Sequence, residues 1–209
     1  QPRRIERNGK RVAVIGAGPA GLAVANQLNG MGYEVTIIDK NEAPGGLLRY
    51  GIPNFKLHKP IIDRRIRIME EEGVKFYMNC DIDVTALPKG YDAYCICTGT
   101  PTARDLNIPG RELKGIHLAL EMLSQQNRIL AGATFTKDKQ VNAKGKRVLV
   151  IGGGDTGSDC IGTAHRQGAV CVTQIEIMPQ PPIGRNPSTP WPQWPVVLKT
   201  TSSHEEGCL

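Results

Sequence analysis

The chain has 209 residues, 40% of them hydrophobic and 24 of them glycine, a composition typical of an α/β protein that excludes a disordered or fibrous one. Its net charge is +6, but basic residues are interspersed with acidic ones, as at residues 61–73, so we predict a solvated helix surface and no nucleic-acid partner. No apolar run approaches the roughly 18 residues of a membrane-spanning helix, and we predict no membrane partner.

The first third of the chain has the pattern of a β-α-β unit. A strand is predicted at residues 11–16 (RVAVIG), a helix over 19–31 and a second strand at 33–39 (YEVTIID). The elements that follow are predicted as a loop rich in Gly and Pro at 40–58, a helix at 59–72, strands at 73–79 and 91–99, and a loop at 101–113.

The second half of the chain predicts another β-α-β unit. Its elements are expected to be a helix at 116–130, a surface linker at 131–146, a strand at 147–153, a helix at 155–167 and a strand at 169–177. Residues 178–195 contain too much proline for regular structure, and Trp191 and Trp194 are expected to anchor this loop, with a ligand-lining role as the alternative. Because a Rossmann domain needs more strands than remain, we expect an incomplete fragment.

The six cysteines include no CxxC spacing, so the sequence predicts neither a redox dithiol nor a zinc or iron–sulfur loop. Cys95 and Cys97 lie two residues apart in a strand, and alternation therefore places both on one face. Free buried thiols are expected. The four histidines show no ligand spacing, and no metal site is predicted.

The first strand ends in a glycine loop, Gly16-x-Gly18-x-x-Gly21. In a dinucleotide site the first glycine permits the tight turn, the second lets the backbone approach a pyrophosphate, and the third lets helix and strand pack closely. The second strand ends on Asp39, where a carboxylate accepts hydrogen bonds from ribose hydroxyls. We therefore predict a nucleotide site, with a merely structural glycine turn as the alternative.

Two further segments favour FAD over NAD at this loop. The stretch GGLLRYGIP, which contains Gly46, lets the backbone pass close to a large planar ligand, and Arg49 and Lys56 are positioned to face phosphate. The turn CTGT, with Thr98 and Gly99, ends another strand at the place where such folds close over the cofactor. A domain that binds only NAD needs neither feature.

A second glycine loop, Gly152-x-Gly154-x-x-Gly157, repeats the spacing. Asp155 and Thr156 follow at the start of a helix, and simple helix capping is the alternative to a nucleotide role for them. We predict that this loop binds the nicotinamide nucleotide.

The end of the next strand indicates which nicotinamide nucleotide binds. NADP sites place arginines there to hold the 2′-phosphate, but this chain has Ile177 and Met178. The adjacent Glu176 could accept from a 2′-hydroxyl and repel a 2′-phosphate, or it could be an outward strand residue. Arg185, in the following loop, could still accommodate NADPH. We predict NADH.

Four motifs together, GGLLRYGIPNFKL, RDLNIPGRELKGIH, IGGGDTGSDC and NPSTPWPQWP, resemble the small, flavin-containing part of glutamate synthase. That part is the β subunit of the bacterial enzymes and the C-terminal region of the fused NADH-dependent ones. The resemblance implies an FAD domain with an inserted NAD(P)H domain, and hydride transfer from the nicotinamide nucleotide to FAD. Iron–sulfur clusters and an FMN, on segments outside this chain or on a partner, would then pass electrons to 2-iminoglutarate, forming glutamate from glutamine and 2-oxoglutarate.

The resemblance also assigns residues. It implies that the pyrophosphate of FAD lies on the first loop, the ribose at Asp39 and Lys40, and the nicotinamide nucleotide on the second loop. The residues it carries over are Gly16, Gly18, Pro19, Ala20 and Gly21 for the pyrophosphate, Leu47, Leu48, Arg49, Tyr50 and Lys56 lining FAD, Thr98 and Gly99 beside it, and Gly153, Gly154, Asp155 and Thr156 in the second loop.

On this basis we divide the chain into an N-terminal extension (1–8), the first part of an FAD-binding domain (9–131), a linker (132–146) and an incomplete NAD(P)H-binding domain (147–209). The expected partner is a glutamate synthase large subunit or fused synthase domain, and the expected location is cytoplasmic, with a plastid as the alternative. No side chain is predicted to act as an acid, base or nucleophile, because hydride transfer is the cofactors' own chemistry. The alternatives are a reductase of the dihydropyrimidine dehydrogenase or ferredoxin reductase type, or a redox-inactive nucleotide-binding scaffold.

Overall fold

A computed structural model describes residues 2–100 and 102–206. These residues form two α/β units, which confirms the predicted fold class of two Rossmann-like units. The elements in chain order are β1 (Arg11–Ile15), α1 (Pro19–Gly30), β2 (Glu34–Ile38), α2 (Leu47–Tyr50), α3 (Lys59–Glu71), β3 (Lys75–Tyr77), β4 (Ala93–Ile96), α4 (Ala119–Leu130), β5 (Arg147–Ile151), α5 (Asp155–Arg166), β6 (Cys171–Ile175) and α6 (Ser202–Glu205).

The first unit is a parallel sheet in the order β3-β2-β1-β4. Val14 pairs with both Ile37 and Cys95, so β1 lies in the middle of the sheet. Its apolar residues are buried on both faces, as expected of a parallel strand covered by helices. Because all the strands run in one direction, the segments that follow β1, β2 and β4 emerge at the same edge of the sheet, and they form the first candidate site there.

Two arginines near the start of the chain, Arg3 and Arg7, bond to residues at the ends of α1 and α3. The guanidinium of Arg3 donates through Nε and Nη2 to the carboxylate of Glu72, at 2.9 and 2.8 Å. Arg7 donates to Asn29 at the end of α1 and to the carbonyl of Glu72 after α3, each at 2.7 Å. The Glu72 side chain is 3% exposed, and its pair with Arg3 lowers its pKa to about 2.

The second unit is the parallel pair β5–β6 with α5 packed beside it. Its apolar core includes Val150, Cys160 and Ile161, and also Leu123 from α4. Thus α4, which the predicted boundary assigns to the first domain, packs its apolar side on the second unit. Asn127, one helical turn after Leu123, donates to the carbonyls of Tyr50 and Ile52, at 3.1 and 3.0 Å, and so fastens α4 to the first unit.

The structure differs from the sequence prediction mainly in short elements. The predicted loop at 40–58 contains the single turn of α2, and the predicted helix at 116–130 begins only at Ala119. Thr201 opens α6, which was not predicted, through a capping box with His204. Residues 178–195 contain no helix or strand, as predicted. Within the described ranges, no helix is both long and apolar enough to cross a membrane.

Cysteine placement follows the prediction from strand alternation. Cys95 and Cys97 both pack against the same core of the first unit. Cys160 is buried in α5, and burial raises the pKa of its thiol to about 11. Five cysteines in the described part of the chain are free thiols, and Cys208 lies outside the described residues.

Candidate functional site

The first glycine loop is built by close backbone contacts. Gly16 has a φ of +108°, and a Cβ added there would overlap the carbonyl of Cys97 at the end of β4. A Cβ at Gly21 would overlap the carbonyl of Gly16, so this glycine lets α1 lie directly on the turn. At Gly18, by contrast, a Cβ would meet no atom within 4 Å. No contact within the protein therefore requires glycine at position 18, and a ligand has room to approach its backbone.

The second loop has the same construction. Gly152 has a φ of +118°, and a Cβ at Gly157 would overlap the carbonyl of Gly152. The N-cap of α5 is Gly154, and no side chain caps it. Asp155 is the first helical residue, so the alternative that it caps the helix is wrong. In the described residues Gly18 likewise begins α1 without a side-chain cap, and both helices thus present backbone N–H groups suited to phosphate.

The two acidic residues Asp39 and Glu176 occupy equivalent positions in the two units. Each follows the second strand of its unit and accepts a hydrogen bond from the amide just after the first loop glycine. The carboxylate of Asp39 accepts from the amide of Ala17 at 2.6 Å, and that of Glu176 accepts from Gly153 at 2.5 Å. Glu176 therefore faces its glycine loop and is not an outward strand residue.

Backbone hydrogen bonds keep Glu176 ionised. Its second carboxylate oxygen accepts from the amides of Ile177 and Met178, at 2.7 and 3.1 Å. These bonds, with that from Gly153, lower the pKa of Glu176. A negative charge thus stands at the end of β6, beside the second glycine loop.

The segment GGLLRYGIP folds onto the first glycine loop. The amide of Gly45 donates to the carbonyl of Ala17 at 2.8 Å. A Cβ at Gly46 would lie 2.7 Å from Cα of Gly18, so the second glycine of this segment permits direct contact between the two loops. Thr98 and Gly99 follow β4 at the same edge and are exposed. The structure therefore brings the glycine loop, Asp39, Gly46 and the CTGT turn together.

Several predicted FAD-lining side chains have protein partners in this structure. Arg49 donates to the carbonyl of Pro44 and pairs with Asp63 on α3. The Tyr50 hydroxyl hydrogen-bonds to the backbone of Ala43, and Arg128 lies over its ring with 4.4 Å from Cζ to the centroid. Leu48 packs into the core, whereas Leu47 and Lys40 are exposed. Roles for these residues toward FAD stay predictions.

Lys56 connects the two units. Its Nζ lies 2.5 Å from the carboxylate of Asp159 on α5, whose side chain is 12% exposed. No sequence pattern indicates this pairing, because the two residues lie far apart in the chain.

Sequence reasoning also missed Lys59. Its Nζ donates to the carbonyls of Leu48 and Ile52, at 2.9 and 2.5 Å, and so closes the turn of α2. Burial, with the nearby charge of Arg49, lowers its pKa to about 8. It lines a cavity of about 490 Å³ between α2, α3 and α4, and no residue of either glycine loop lines this cavity. Its position just before Pro60 at a helix start was the only signal in the sequence.

The second loop is also supported from α6. Gln174 donates to the carbonyl of Gly152 at 2.8 Å and bonds to His204 at 3.0 Å. In the proline-rich segment Arg185 donates to the carbonyls of Thr189 and Gln193, so its guanidinium is engaged within the segment. Trp191 and Trp194 are 83% and 80% exposed, so they do not anchor this loop by burial, although Nζ of Lys199 lies 3.7 Å from the ring centroid of Trp194.

The chain is similar to known oxidoreductases over most of its length. Residues 10–187 match the pyridine nucleotide-disulphide oxidoreductase family. The glutamate synthase (NADPH) small chain of Mycobacterium tuberculosis is 48% identical over 99% of this chain and 43% of that protein. The glutamate synthase (NADH) of Schizosaccharomyces pombe is 46% identical over 96% of this chain and 10% of that protein. The predicted resemblance to glutamate synthase small chains is confirmed.

A solved structure shares the fold. Mycobacterium tuberculosis FprA in complex with NADPH has a TM-score of 0.63 at 22% identity, over 79% of this chain and 43% of that chain. The chain thus spans less than half the length of these relatives, of which the Mycobacterium tuberculosis small chain is named for NADPH and the Schizosaccharomyces pombe enzyme for NADH.

Proposed function

Because this chain belongs to the pyridine nucleotide-disulphide oxidoreductase family, we propose that it is the flavoprotein module of a glutamate synthase that oxidises NADH. The single observation that carries the proposal is the pair of equivalent glycine loops. In each, no side chain caps the following helix, and the amide after the first glycine donates a hydrogen bond to a carboxylate. A protein with two such loops can hold an electron donor and an electron acceptor at once.

The residues around the first loop fit FAD. Gly18 offers open space at the middle of the loop, Gly46 folds directly onto it, and Asp39 lies where ribose hydroxyls would bind. Pro19, Ala20 and Gly21 begin α1, whose N-terminal dipole favours the pyrophosphate. The chemistry that FAD supplies here is acceptance of a hydride, with its two electrons, from the nicotinamide ring. The chain's own residues would bind the two nucleotides, orient their reacting rings and shield them from water.

The second loop fits a nicotinamide nucleotide, and Glu176 favours NADH. Its ionised carboxylate would accept from a ribose 2′-hydroxyl and repel a 2′-phosphate. Ile177 and Met178 supply no cation, and Arg185 is bonded to backbone carbonyls of its own loop. Asp155 and Thr156 are exposed at the start of α5, where they can reach the bound nucleotide.

Electrons would leave this module for iron–sulfur clusters and an FMN on other segments or on a large subunit, where 2-iminoglutarate is reduced to glutamate. The identity to glutamate synthase small chains over nearly the whole chain supports this acceptor over that of a ferredoxin or pyrimidine reductase. We place the assembled enzyme in the cytoplasm.

The test is to purify the full-length protein and record its absorbance with and without NADH in the absence of oxygen. We expect a flavin spectrum that NADH bleaches, and NADH-driven glutamate formation when the synthase partner is present. A colourless full-length protein would favour the scaffold alternative, and a bleached flavin without glutamate synthesis would favour a different reductase.

The nucleotide preference is tested by Glu176→Gln. Removing the charge should lower the preference for NADH, measured as the ratio of kcat/KM for NADH to that for NADPH, by about fivefold, because a full repulsive charge beside the 2′-phosphate is lost. Arg185→Gln is the control, and we expect it to leave the ratio unchanged. Equal efficiency of the wild-type enzyme with both nucleotides would refute the NADH assignment.

A further inference from the structure

The two units meet at a notch in α5. A Cβ added at Gly162 would lie 2.7 Å from Cζ of Phe55 and 2.6 Å from Oγ of Ser203. Both distances are shorter than van der Waals contact. Phe55 belongs to the loop after α2 in the first unit, and Ser203 belongs to α6. Gly162 therefore provides the space in which three elements come together.

The close approach of Phe55 and Ser203 explains why position 162 is a glycine. Gly162 lies in the interior of α5, where glycine is a poor helix former compared with alanine. It does not have the positive φ that would require glycine. The close approach of Phe55 and Ser203 supplies the reason.

Arg166 lies one helical turn after Gly162 and contacts the same Phe55 ring. Its guanidinium lies over the Phe55 ring, with 3.6 Å from Cζ to the ring centroid. The same group donates to the carbonyl of Gly162 at 3.1 Å and pairs with Glu206 after α6 at 2.7 Å. Lys56, next to Phe55, adds the ion pair with Asp159. A stacked cation, an aromatic ring and an ion pair thus hold α5 against the first unit.

This contact connects the two glycine loops by a short path. Phe55 follows the GGLLRYGIP segment, whose Gly45 and Gly46 lie on the first loop. Gly162 belongs to α5, the helix that begins at the second loop. A displacement at the notch would therefore change the position of one loop relative to the other.

We propose that Phe55, Gly162 and Arg166 form a lock that aligns the two nucleotide sites, and that they are positioning residues for hydride transfer. The inference rests on the proposed function, since alignment matters only if both loops hold nucleotides. Transfer requires the reacting atoms to lie about 3–3.5 Å apart, and a misplacement of about 1 Å costs on the order of a hundredfold in rate. The lock adds no chemical step of its own.

The experiment uses the full-length protein as wild type, Gly162→Ala, Phe55→Ala and the double variant. Stopped-flow absorbance without oxygen gives the limiting rate constant of flavin reduction and the Kd for NADH. We expect each single variant to lower the limiting rate constant about tenfold while flavin content and Kd change less than twofold. Since both changes act through one contact, the double variant should be no slower than the slower single variant.

Phe135→Ala is the matched control, because Phe135 in the linker is exposed to the same extent as Phe55, 37%, and we expect the wild-type rate. If Gly162→Ala loses flavin through misfolding, Phe55→Ala, which removes only a partly exposed ring, still decides the question. Wild-type limiting rates in both single variants would overturn the lock and leave the proposed function intact. A wild-type protein whose flavin NADH does not reduce would overturn both.

Discussion

The ion pair between Arg3 and Glu72 should make a measurable contribution to stability that depends on pH. The Arg3 guanidinium lowers the pKa of Glu72 from 4.5 to about 2. At 1.36 kcal/mol per pKa unit this corresponds to roughly 3 kcal/mol, and since the Arg3 side chain is 51% exposed, solvent screening leaves about 2 kcal/mol. Because the folded-state pKa is depressed, this stability is present above pH 4.5 and is lost as the pH falls towards 2.

The assay is urea unfolding of wild type and Glu72→Gln across this pH range. We expect the variant to have a free energy of unfolding about 2 kcal/mol lower at pH 7, and the gap to close near pH 2, where wild-type Glu72 is itself protonated. Glu71→Gln, at the exposed last residue of α3 next to Glu72, is the control and should cost much less. A gap that persists unchanged at pH 2, or none at pH 7, would refute the reasoning.

Three further outcomes are expected from the site. Gly21→Ala should lower both the unfolding temperature and the flavin content, because its Cβ would overlap a backbone carbonyl. Gly18→Ala should lower the flavin content alone, because its Cβ meets no protein atom and would occupy only the space open to the ligand. Equal unfolding temperatures for the two variants would contradict this. Asn127→Ala removes a donor from the carbonyls of Tyr50 and Ile52, of which Ile52 keeps the bond from Lys59, and should reduce the unfolding free energy by about 2 kcal/mol in urea titrations. Gln174→Leu removes the donor to the carbonyl of Gly152 and should raise the Kd for NADH about threefold in a fluorescence titration, with flavin content as the unaffected control.

The elements of regular period could be predicted from the sequence because burial alone determines them. The strand β1 and the helix α3 bury their apolar residues in the pattern that their spacing implies. The glycine loops could be predicted for a similar reason, since each glycine at a tight turn or a helix–strand contact is required by local backbone geometry.

What escaped prediction depends on contacts between distant segments. The turn of α2 is closed by Lys59 and by Asn127, because the four residues LLRY between two glycines are too few to form a helix by their own propensity. The pairing of Lys56 with Asp159 and the fit of Phe55 at Gly162 exist only once the two units have come together. Local pattern carries no information about such pairs.

The double attachment of α4 has a mechanical consequence. Its apolar side is part of the core of the second unit, whereas Asn127 and Arg128 attach it to the first unit through hydrogen bonds and a partly exposed ion pair with Glu42. Any rotation of the second unit must carry α4 with it, because a packed core does not slide as readily as polar contacts exchange. If the two units move relative to each other, we expect the sliding surface to pass between α2 and α4 and through the contacts of Phe55 and Lys56 with α5, and the hinge to lie in the segment that precedes Ala119 and not in the linker at 132–146.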